Sequence, residues 1–364
     1  MTITRPRQGA ALPTDDIDAA LRRFLAGRRA EAETISPAYA AAVAELERYV
    51  LRGGKRVRPA FAWLGWIGAG GDEAGAETEA VLRACAALEM FHAYGLIHDD
   101  VIDASLTRRG APAAHVMFAD HHRSRCWNGD AEQFGTGAAI LVGDLAQCWA
   151  DDMVRTSGLP EQAQRRVAQV WSELRTEVLC GQLLDLTAEA AGDEDIETAL
   201  RVNQYKTASY TVERPLHIGA AIAGADAGLI AAYRAFGVDI GIAFQLRDDL
   251  LGVFGAPEET GKPSGDDLIQ GKRTVLFTAA LKFADAQDPD AAKFLRTRIG
   301  TRISGEELHT MRAIITGVGA VDHVERDIAA RTDRAVAALR ASGATDVAKD
   351  RLTAMAISAT QRTS

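Results

Sequence analysis

Three aspartates crowd into five residues of the segment IHDDVIDASLTRRG, and two arginines follow them. Asp99 and Asp103 are four residues apart, so on a helix they share a face, and Asp100 lies roughly a quarter-turn away. Like charges at this spacing destabilise an isolated helix by a few tenths of a kcal/mol. Mg²⁺ reverses that cost, because it takes oxygen ligands and is commonly held by one or two carboxylates and substrate phosphates. The spacing indicates a metal site, although a solvated acidic helix face has the same pattern.

A second acidic cluster lies in the segment IAFQLRDDLLGVFG. Gln245, Asp248 and Asp249 stand there at positions i, i+3 and i+4, with apolar residues on both sides. Such surroundings are not typical of an ordinary solvated helix face. Two acidic turns on apolar helices can face each other across a bundle core, where helical bundles often build metal sites. Gly252 stands where the spacing of the first cluster would place a third aspartate.

Basic residues occupy glycine-rich turns and predicted helix ends along the same chain. Arginine binds phosphate oxygens through two parallel N–H groups, and lysine acts as a movable point charge. The cations are Lys55, Arg56 and Arg58 in GGKRVRP, Arg108 and Arg109 after the first acids, Lys206 in NQYKTASYTVERP, and Lys262 and Lys272 in GKPSGDDLIQGKRT. Each one alone is typical of surface charge, but the whole set predicts two anion sites beside the acids. The predicted contents are divalent metals and a polyphosphate.

No covalent nucleophile emerges from these motifs. Ser105, Ser209 and the cysteines have no evident base partner, and the glycine-rich turns do not form the GxxxxGK[ST] loop of P-loop NTPases. His92 and His98 flank the first acids, where a lone histidine on a helix is more often structural. The chemistry is therefore predicted to depend on metals and cations.

Helices are the elements that must position these residues. Alanine is abundant, hydrophobic residues make up 47% of the chain and aromatic residues only 6%, and period-2 alternation is nearly absent. Ser36 followed by Pro37 predicts the start of one helix. A long helix is predicted from near Glu77 past Asp103, and a loop over residues 121–137. We predict a disordered lead-in over residues 1–15, a single all-α domain over 16–357 and a loose tail over 358–364.

Charge and composition exclude several classes of protein. The chain has 41 basic and 50 acidic residues, a net charge of −9, which argues against general nucleic-acid affinity. No run of eighteen or more apolar residues predicts a membrane span, and the N-terminal segment lacks the apolar region of a secretory signal. The four cysteines form no CxxC pair, which is typical of reduced thiols in a cytoplasmic protein.

Six blocks of the sequence, taken in order, resemble the trans-isoprenyl (polyprenyl) diphosphate synthases. They are GGKRVRP, HAYGLIHDDVIDASLTRRG, GQLLDL, YKTASYTVERPLHIGA, FQLRDDLLGVFG and GKPSGDDLIQGKRT. Six ordered blocks are far more specific than any one of them, and the last three are most similar to geranylgeranyl diphosphate synthases of actinobacterial type. The resemblance implies a single large helical bundle around a central active-site cavity, a homodimer, and three Mg²⁺ ions, with Mn²⁺ as the substitute.

The resemblance also implies the reaction. An allylic diphosphate (dimethylallyl, geranyl or farnesyl) ionises, isopentenyl diphosphate attacks the resulting cation through its double bond, and a proton leaves to the departed pyrophosphate. Fixed positive charge stabilises the leaving group, and an apolar cavity keeps water from the cation. This reaction needs no enzyme nucleophile.

The family motifs imply a role for each matching residue. The expected metal ligands are Asp99 and Asp103 for two ions and Asp248 for the third, with Asp100 and Asp249 in support. The allylic diphosphate is expected on Arg108, Lys206 and Lys262, and isopentenyl diphosphate on Lys55, Arg58, His92 and Arg109. Thr207 and Gln245 are expected beside the reacting carbons. Lys272 is expected to close over the site, and Gln182 and Asp185 are expected to line the cavity wall. Pro215 is expected to bend the helix that carries Lys206 and Thr207.

The depth of the cavity below the first acids sets the product length in this family. Tyr94, five residues before Asp99, is the expected floor, and its neighbour Gly95 is small. These residues favour the twenty-carbon product, geranylgeranyl diphosphate, with farnesyl diphosphate second.

Two alternatives belong to other classes, a class I terpene cyclase and a non-catalytic partner subunit. GGKRVRP and the second acidic pair argue against the cyclase, and the retention of nearly all acids and cations argues against the partner subunit.

Overall fold

The fold is all-α, as the sequence predicts, in a computed structural model that describes residues 12–108, 110–255 and 265–361. Arg109 and Lys262 therefore lie outside the described residues. The chain divides into two compact units, which are described separately below. Unit 1 comprises residues 1–60 and 76–159, and unit 2 comprises residues 61–75 and 160–364. The single domain over residues 16–357 stays a prediction.

Unit 1 is built around one long buried helix. Its elements are α1 (Thr14–Ile35), α2 (Pro37–Leu51), the first turn of α3 (Val57–Gly68), α4 (Thr78–Ile102), β1 (Thr107–Arg108), β2 (Ala111–Pro112), α5 (Ala114–Ser124) and α6 (Ala131–Arg155). Most residues of α4 are buried, and it packs against α1 and α6. The two short strands form an antiparallel hairpin in which Thr107 pairs with Pro112 and Arg108 with Ala111.

Local capping explains two helix boundaries in unit 1. The predicted start of α2 is confirmed, since the Ser36 hydroxyl accepts a 3.1 Å hydrogen bond from the Tyr39 N–H and Pro37 follows the cap. The predicted loop over residues 121–137 is wrong for most of its length. There α5 continues to Ser124, and α6 begins at Ala131 because the Asp130 carboxylate caps the N–H of Gln133 at 2.7 Å.

Unit 2 is a larger helical assembly. It holds the rest of α3, then α7 (Glu161–Ala191), α8 (Ile196–Val202), a π-helical segment (Asn203–Glu213), α9 (Arg214–Ala223), α10 (Ala227–Phe254), α11 (Asp266–Gln270), α12 (Val275–Gln287), α13 (Pro289–Arg298), α14 (Gly305–Gly317), α15 (Ala320–Ala341) and α16 (Asp346–Thr360). The core of this unit includes Leu246 and Val253 of α10 and Phe277 of α12, all fully buried. Helix α10 packs against both the π-helical segment and α15.

Glycines on two helices allow the π-helical segment to lie unusually close to its neighbours. A methyl group built on Gly181 of α7 would lie 2.2 Å from the backbone nitrogen of Lys206, and one on Gly241 of α10 would lie 2.3 Å from the Ala208 Cα. Larger side chains cannot occupy either position without moving the backbone. Pro215 stands in the first turn of α9, directly after the π-helical segment, and the bend expected there stays a prediction.

Helices α4 and α10 are long and apolar enough, by length and composition alone, to cross a membrane. In the qualifying stretches, 78% of the α4 residues and 44% of the α10 residues are buried inside the structure. Core helices of globular proteins pass the same test, so this finding is weak evidence, and the absence of a membrane span stays a prediction.

Arg56, which the sequence groups with the anion-binding cations, is instead buried in unit 1 with 4% of its surface exposed. Its guanidinium donates hydrogen bonds to Asp18 at 2.8 Å, to Glu89 at 2.7 Å and to the Val50 carbonyl at 3.1 Å. Its φ of 47° lies in the left-handed region, which is uncommon for a non-glycine residue. Arg56 therefore fixes the GGKRVRP turn, beside the exposed Lys55.

We expect Arg56→Ala to lower the free energy of unfolding by about 3–5 kcal/mol, because it leaves the buried Glu89 carboxylate without its charge partner. The control Arg52→Ala removes an exposed arginine whose guanidinium lies over the Tyr49 ring, and we expect it to cost about 1 kcal/mol or less. Urea denaturation followed by circular dichroism measures both. Equal losses in the two variants would contradict the structural role of Arg56.

Candidate active site

The first acidic cluster lies where α4 ends. Asp99 and Asp100 belong to its last turn, and Asp103 is the cap residue whose N–H bonds to the Asp99 carbonyl at 2.8 Å. The carboxylate of Asp100 is completely buried. The C-terminal end of a helix carries partial negative charge, so three acids there are doubly unfavourable without a cation. The structure therefore brings the predicted acids together at a helix end where a nearby positive charge would stabilise them.

Arg108 supplies part of that charge. The β1–β2 hairpin returns its guanidinium to the end of α4, where it bonds to Asp100 at 2.8 Å and to Asp99 at 3.0 Å. Burial raises the pKa of Asp100, and the hydrogen bond from Arg108 opposes that effect. Among the described residues, Oδ2 of Asp100 has no hydrogen-bond partner. One oxygen of a fully buried carboxylate thus lacks a bond from the part of the chain that the structure describes.

Three of the four residues expected to hold isopentenyl diphosphate also belong to unit 1. Lys55 is exposed in the turn before α3, Arg58 lies in the first turn of α3, and His92 is half-buried on α4. The fourth, Arg109, lies outside the described residues. Their common role stays a prediction.

The second acidic cluster, in unit 2, joins three predicted residues through direct hydrogen bonds. The Thr207 hydroxyl donates to the Gln245 side-chain oxygen at 2.8 Å, and the Gln245 amide donates to Asp249 Oδ1 at 2.8 Å. Burial raises the pKa of Asp249 to about 7, against the opposing effect of the Gln245 bond. Oδ2 of Asp249 is buried and accepts no hydrogen bond of normal geometry within the described ranges, although the nearby Asn203 side chain also lowers the pKa of this acid. Asp248, beside it on α10, is half-buried.

Lys206 is held by the cavity-wall candidate Asp185. The Lys206 ammonium lies 2.6 Å from Asp185 Oδ2, and both side chains are about one-fifth exposed. Gly181, one residue before the predicted Gln182, permits this approach of α7 to the π-helical segment. Sequence reasoning did not foresee the π-helical turn, which carries both Lys206 and Thr207. Such turns are rare and are frequent at functional sites.

Asp267 is a residue of this cluster that sequence reasoning missed. A methyl group built on Gly252 would lie 2.0 Å from Asp267 Oδ2, so the Asp267 carboxylate occupies the space beside the glycine. Its negative charge further raises the pKa of Asp249, and Lys272 lowers it. The Lys272 N–H also bonds to the Asp267 carbonyl at 3.0 Å. A carboxylate from α11 thus lies beside position 252, where the motif lacks one, and its sequence signal was the GDDL portion of the sixth block.

Two further features of the described residues are the aromatic surroundings of Tyr94 and a cavity in unit 2. Tyr94 is buried on α4, with ring centroids 5.2 Å from Phe91 and 4.8 Å from His98. Unit 2 also contains a cavity of about 380 Å³ whose lining includes Gln204, Glu213 and Arg234. None of the predicted site residues lines that cavity, and Arg234 of its lining is paired with Glu213 at 2.8 Å.

The donor set fits a hard cation. Asp100 and Asp249 each bury an oxygen to which no described residue donates, and carboxylate oxygens are the ligands that Mg²⁺ prefers. Within the described part of the chain, no three His, Cys, Asp or Glu side chains converge closely enough to hold a metal by themselves. Mg²⁺ commonly completes its shell with water and substrate phosphates.

Comparison with known proteins gives consistent matches over most of the chain. A family model described as polyprenyl synthetase matches residues 41–315. A geranylfarnesyl diphosphate synthase from Aeropyrum pernix is 35% identical over 276 residues, which cover 75% of this chain and 79% of the relative. A geranylgeranyl diphosphate synthase from Mycobacterium tuberculosis is 32% identical over 289 residues, 79% of this chain and 75% of the relative.

A solved structure resembles the whole fold. The geranylgeranyl pyrophosphate synthase from Corynebacterium glutamicum, in complex with isoprenyl diphosphate and magnesium, superposes with a TM-score of 0.93 at 45% identity. The match covers 97% of this chain and 100% of that structure.

We expect Gly252→Asp to lower the free energy of unfolding of the metal-free protein by about 1–3 kcal/mol, since the new side chain overlaps Asp267 and adds a like charge. The double variant Gly252→Asp/Asp267→Ala should regain most of that loss. Gly27→Asp is the control, because a side chain at this helical glycine meets nothing within 4 Å. Urea denaturation in EDTA measures all three, and wild-type stability of the single variant Gly252→Asp would contradict the close packing of Asp267 against Gly252.

Proposed function

The chain belongs to the polyprenyl synthetase family and is a prenyltransferase that makes trans-prenyl diphosphates, and we propose that its main product is geranylgeranyl diphosphate, formed with Mg²⁺. The reaction joins isopentenyl diphosphate head to tail to an allylic diphosphate. The allylic carbon–oxygen bond breaks with loss of pyrophosphate, the double bond of isopentenyl diphosphate forms the new carbon–carbon bond, and a proton leaves to the pyrophosphate.

One observation carries the proposal for the metal. A buried carboxylate oxygen without a donor is costly, and both acidic clusters contain one, in Asp100 and in Asp249. Mg²⁺, when bound, supplies the positive charge that neutralises the diphosphate of the leaving group. We assign two ions to Asp99 and Asp103 and the third to Asp248, with the neighbouring Asp100 and Asp249 in support and Mn²⁺ as the substitute ion.

The cations of the chain bind and orient the two diphosphates. We assign the allylic diphosphate to Arg108, Lys206 and Lys262. Arg108 and Lys206 are already close to acids, at 3.0 Å from Asp99 and 2.6 Å from Asp185, so each is held in place before substrate arrives. Such preorganisation reduces the cost of stabilising charge as it develops. We assign isopentenyl diphosphate to Lys55, Arg58, His92 and Arg109, and a closing role to Lys272.

We assign Thr207 and Gln245 to positions beside the reacting carbons. Their mutual hydrogen bond fixes the orientation of both polar groups, and Gln245 is fixed again by its bond to Asp249. Dipoles held in this way can face a developing carbocation without reacting with it. The wall around the hydrocarbon is assigned to Gln182 and Asp185.

The chain-length assignment rests on Tyr94 and Gly95. Tyr94 is 6% exposed and is packed between two rings, which gives it the rigidity that a cavity floor requires. The names of the relatives from Mycobacterium and Corynebacterium support twenty carbons, whereas the Aeropyrum relative is named for the geranylfarnesyl product.

We also propose a cytoplasmic homodimer. Leu179, Leu183 and Leu186 stand at helical spacing on α7, and all three are exposed, Leu183 at 64%. An apolar stripe of this kind is typical of a surface that a second subunit covers.

We expect purified protein with Mg²⁺, isopentenyl diphosphate and each allylic starter to consume isopentenyl diphosphate, a step that a terpene cyclase does not perform. Asp99→Ala and Asp248→Ala should each lower turnover at least about 100-fold, because each removes an anchor for charge stabilisation. The control Asp120→Ala changes an exposed acid of α5, and circular dichroism reports the fold. Near-normal turnover in both test variants would overturn the metal assignment. A wild-type chain that takes up no isopentenyl diphosphate would support a terpene cyclase or a non-catalytic subunit.

Tyr94→Ala should lengthen the product beyond that of the wild type, since the growing chain then passes the position of the lost ring. Reversed-phase chromatography of the dephosphorylated products measures the length. An unchanged product from an active variant would show that the floor lies elsewhere.

A further inference from the structure

We propose that His98 is a specificity-positioning residue, which holds the Tyr94 ring in place and is itself seated in a slot made by Gly143 of α6. The proposal rests on the proposed function, in which Tyr94 ends chain growth. It adds residues that act through Tyr94 and that do not touch the substrate.

The Tyr94 ring is held from two sides along α4. Phe91 precedes it by three residues and His98 follows it by four, so both stand on the same helix face. The His98 ring meets Tyr94 edge to face, with centroids 4.8 Å apart and planes at 66°. This is a favourable geometry for aromatic pairs. A ring so enclosed cannot rotate away unless one of its neighbours moves.

His98 is in turn fixed by α6. Its Nε2 lies 3.1 Å from the Ile140 carbonyl and 3.5 Å from a carboxylate oxygen of Asp144. A carbonyl can only accept, so Nε2 carries the proton and donates to Ile140. Burial raises the pKa of Tyr94, and the negative charge of Asp144 adds to that effect.

Gly143 is the residue that makes room for His98. A methyl group built there would lie 2.3 Å from His98 Cδ2 and 2.4 Å from Nε2. The imidazole is rigid, so any side chain at position 143 must push the whole ring from its place. The glycine thus couples α6 to the orientation of Tyr94.

The test compares two alanine variants on the same helix. Gly143→Ala displaces His98, whereas Gly137→Ala, six residues earlier on α6, adds a methyl group with nothing within 4 Å. We expect Gly143→Ala and His98→Ala to raise the share of products longer than the wild-type product by roughly twofold to tenfold, the ratio that loss of one aromatic contact supports. Gly137→Ala should keep the wild-type distribution. Total isopentenyl diphosphate uptake, measured in parallel, separates chain length from rate.

Double variants show whether the residues act in series. If Gly143 acts through His98, His98→Ala/Gly143→Ala will match His98→Ala alone, and if His98 acts through Tyr94, His98→Ala will add nothing to Tyr94→Ala. His98→Gln, which keeps a hydrogen-bond donor but not the ring, should fail to restore length control, whereas His98→Phe should restore part of it. Unchanged product lengths in active His98→Ala and Gly143→Ala would overturn the proposal.

A second readout needs no turnover. In a crystal structure of His98→Ala the Tyr94 ring should leave its position against Phe91, and a ring that stays would overturn the proposal. If the wild type takes up no isopentenyl diphosphate, the proposed function fails, while the ring position still decides whether His98 holds Tyr94.

Discussion

The burial of carboxylates at the ends of apolar helices is the constraint on which this protein depends. An ionised acid away from water is costly unless donors or cations surround it. The structure meets only half of that need in each cluster. Arg108 bonds to one oxygen of Asp100, and Gln245 bonds to one oxygen of Asp249. The other oxygens have no donor among the described residues. A fold that tolerates this arrangement is prepared for a charged ligand, and the diphosphate chemistry of the family supplies a reason for it.

Several parts of the fold serve to bring one donor to one acid. The short hairpin exists between α4 and α5 and carries Arg108 back to the helix end. The π-helical segment carries Lys206 toward Asp185 and Thr207 toward Gln245. In both cases an irregular element is stabilised by charge-assisted or polar contacts. A regular helix would place the same side chains in other positions. This agrees with the general tendency of π-helical turns to occur where function needs an unusual side-chain position.

Glycine performs a related task at separate places in the two units. Gly181 admits the backbone of Lys206, Gly252 admits the Asp267 carboxylate, and Gly143 admits the His98 ring. Each lies inside a helix, where glycine costs about 1 kcal/mol relative to alanine. The close packing that each glycine permits offsets that cost. The glycine that looks like a defect in the second acidic motif is therefore a packing residue.

The sequence by itself determined the all-α class, the cap at Ser36 and the clustering of the acids, because these depend on periodicity and on neighbours within a few residues. Through the resemblance of its motifs it also predicted Thr207, Gln245 and Asp249 as site residues, although not the bonds that join them. Only the tertiary structure decided which cations are internal and which groups complete the clusters. Arg56 is paired within the core by Asp18 and Glu89, from α1 and α4, and Asp267 fills the space at Gly252 from another helix. These outcomes depend on distances between residues far apart in the chain, which composition and spacing do not contain.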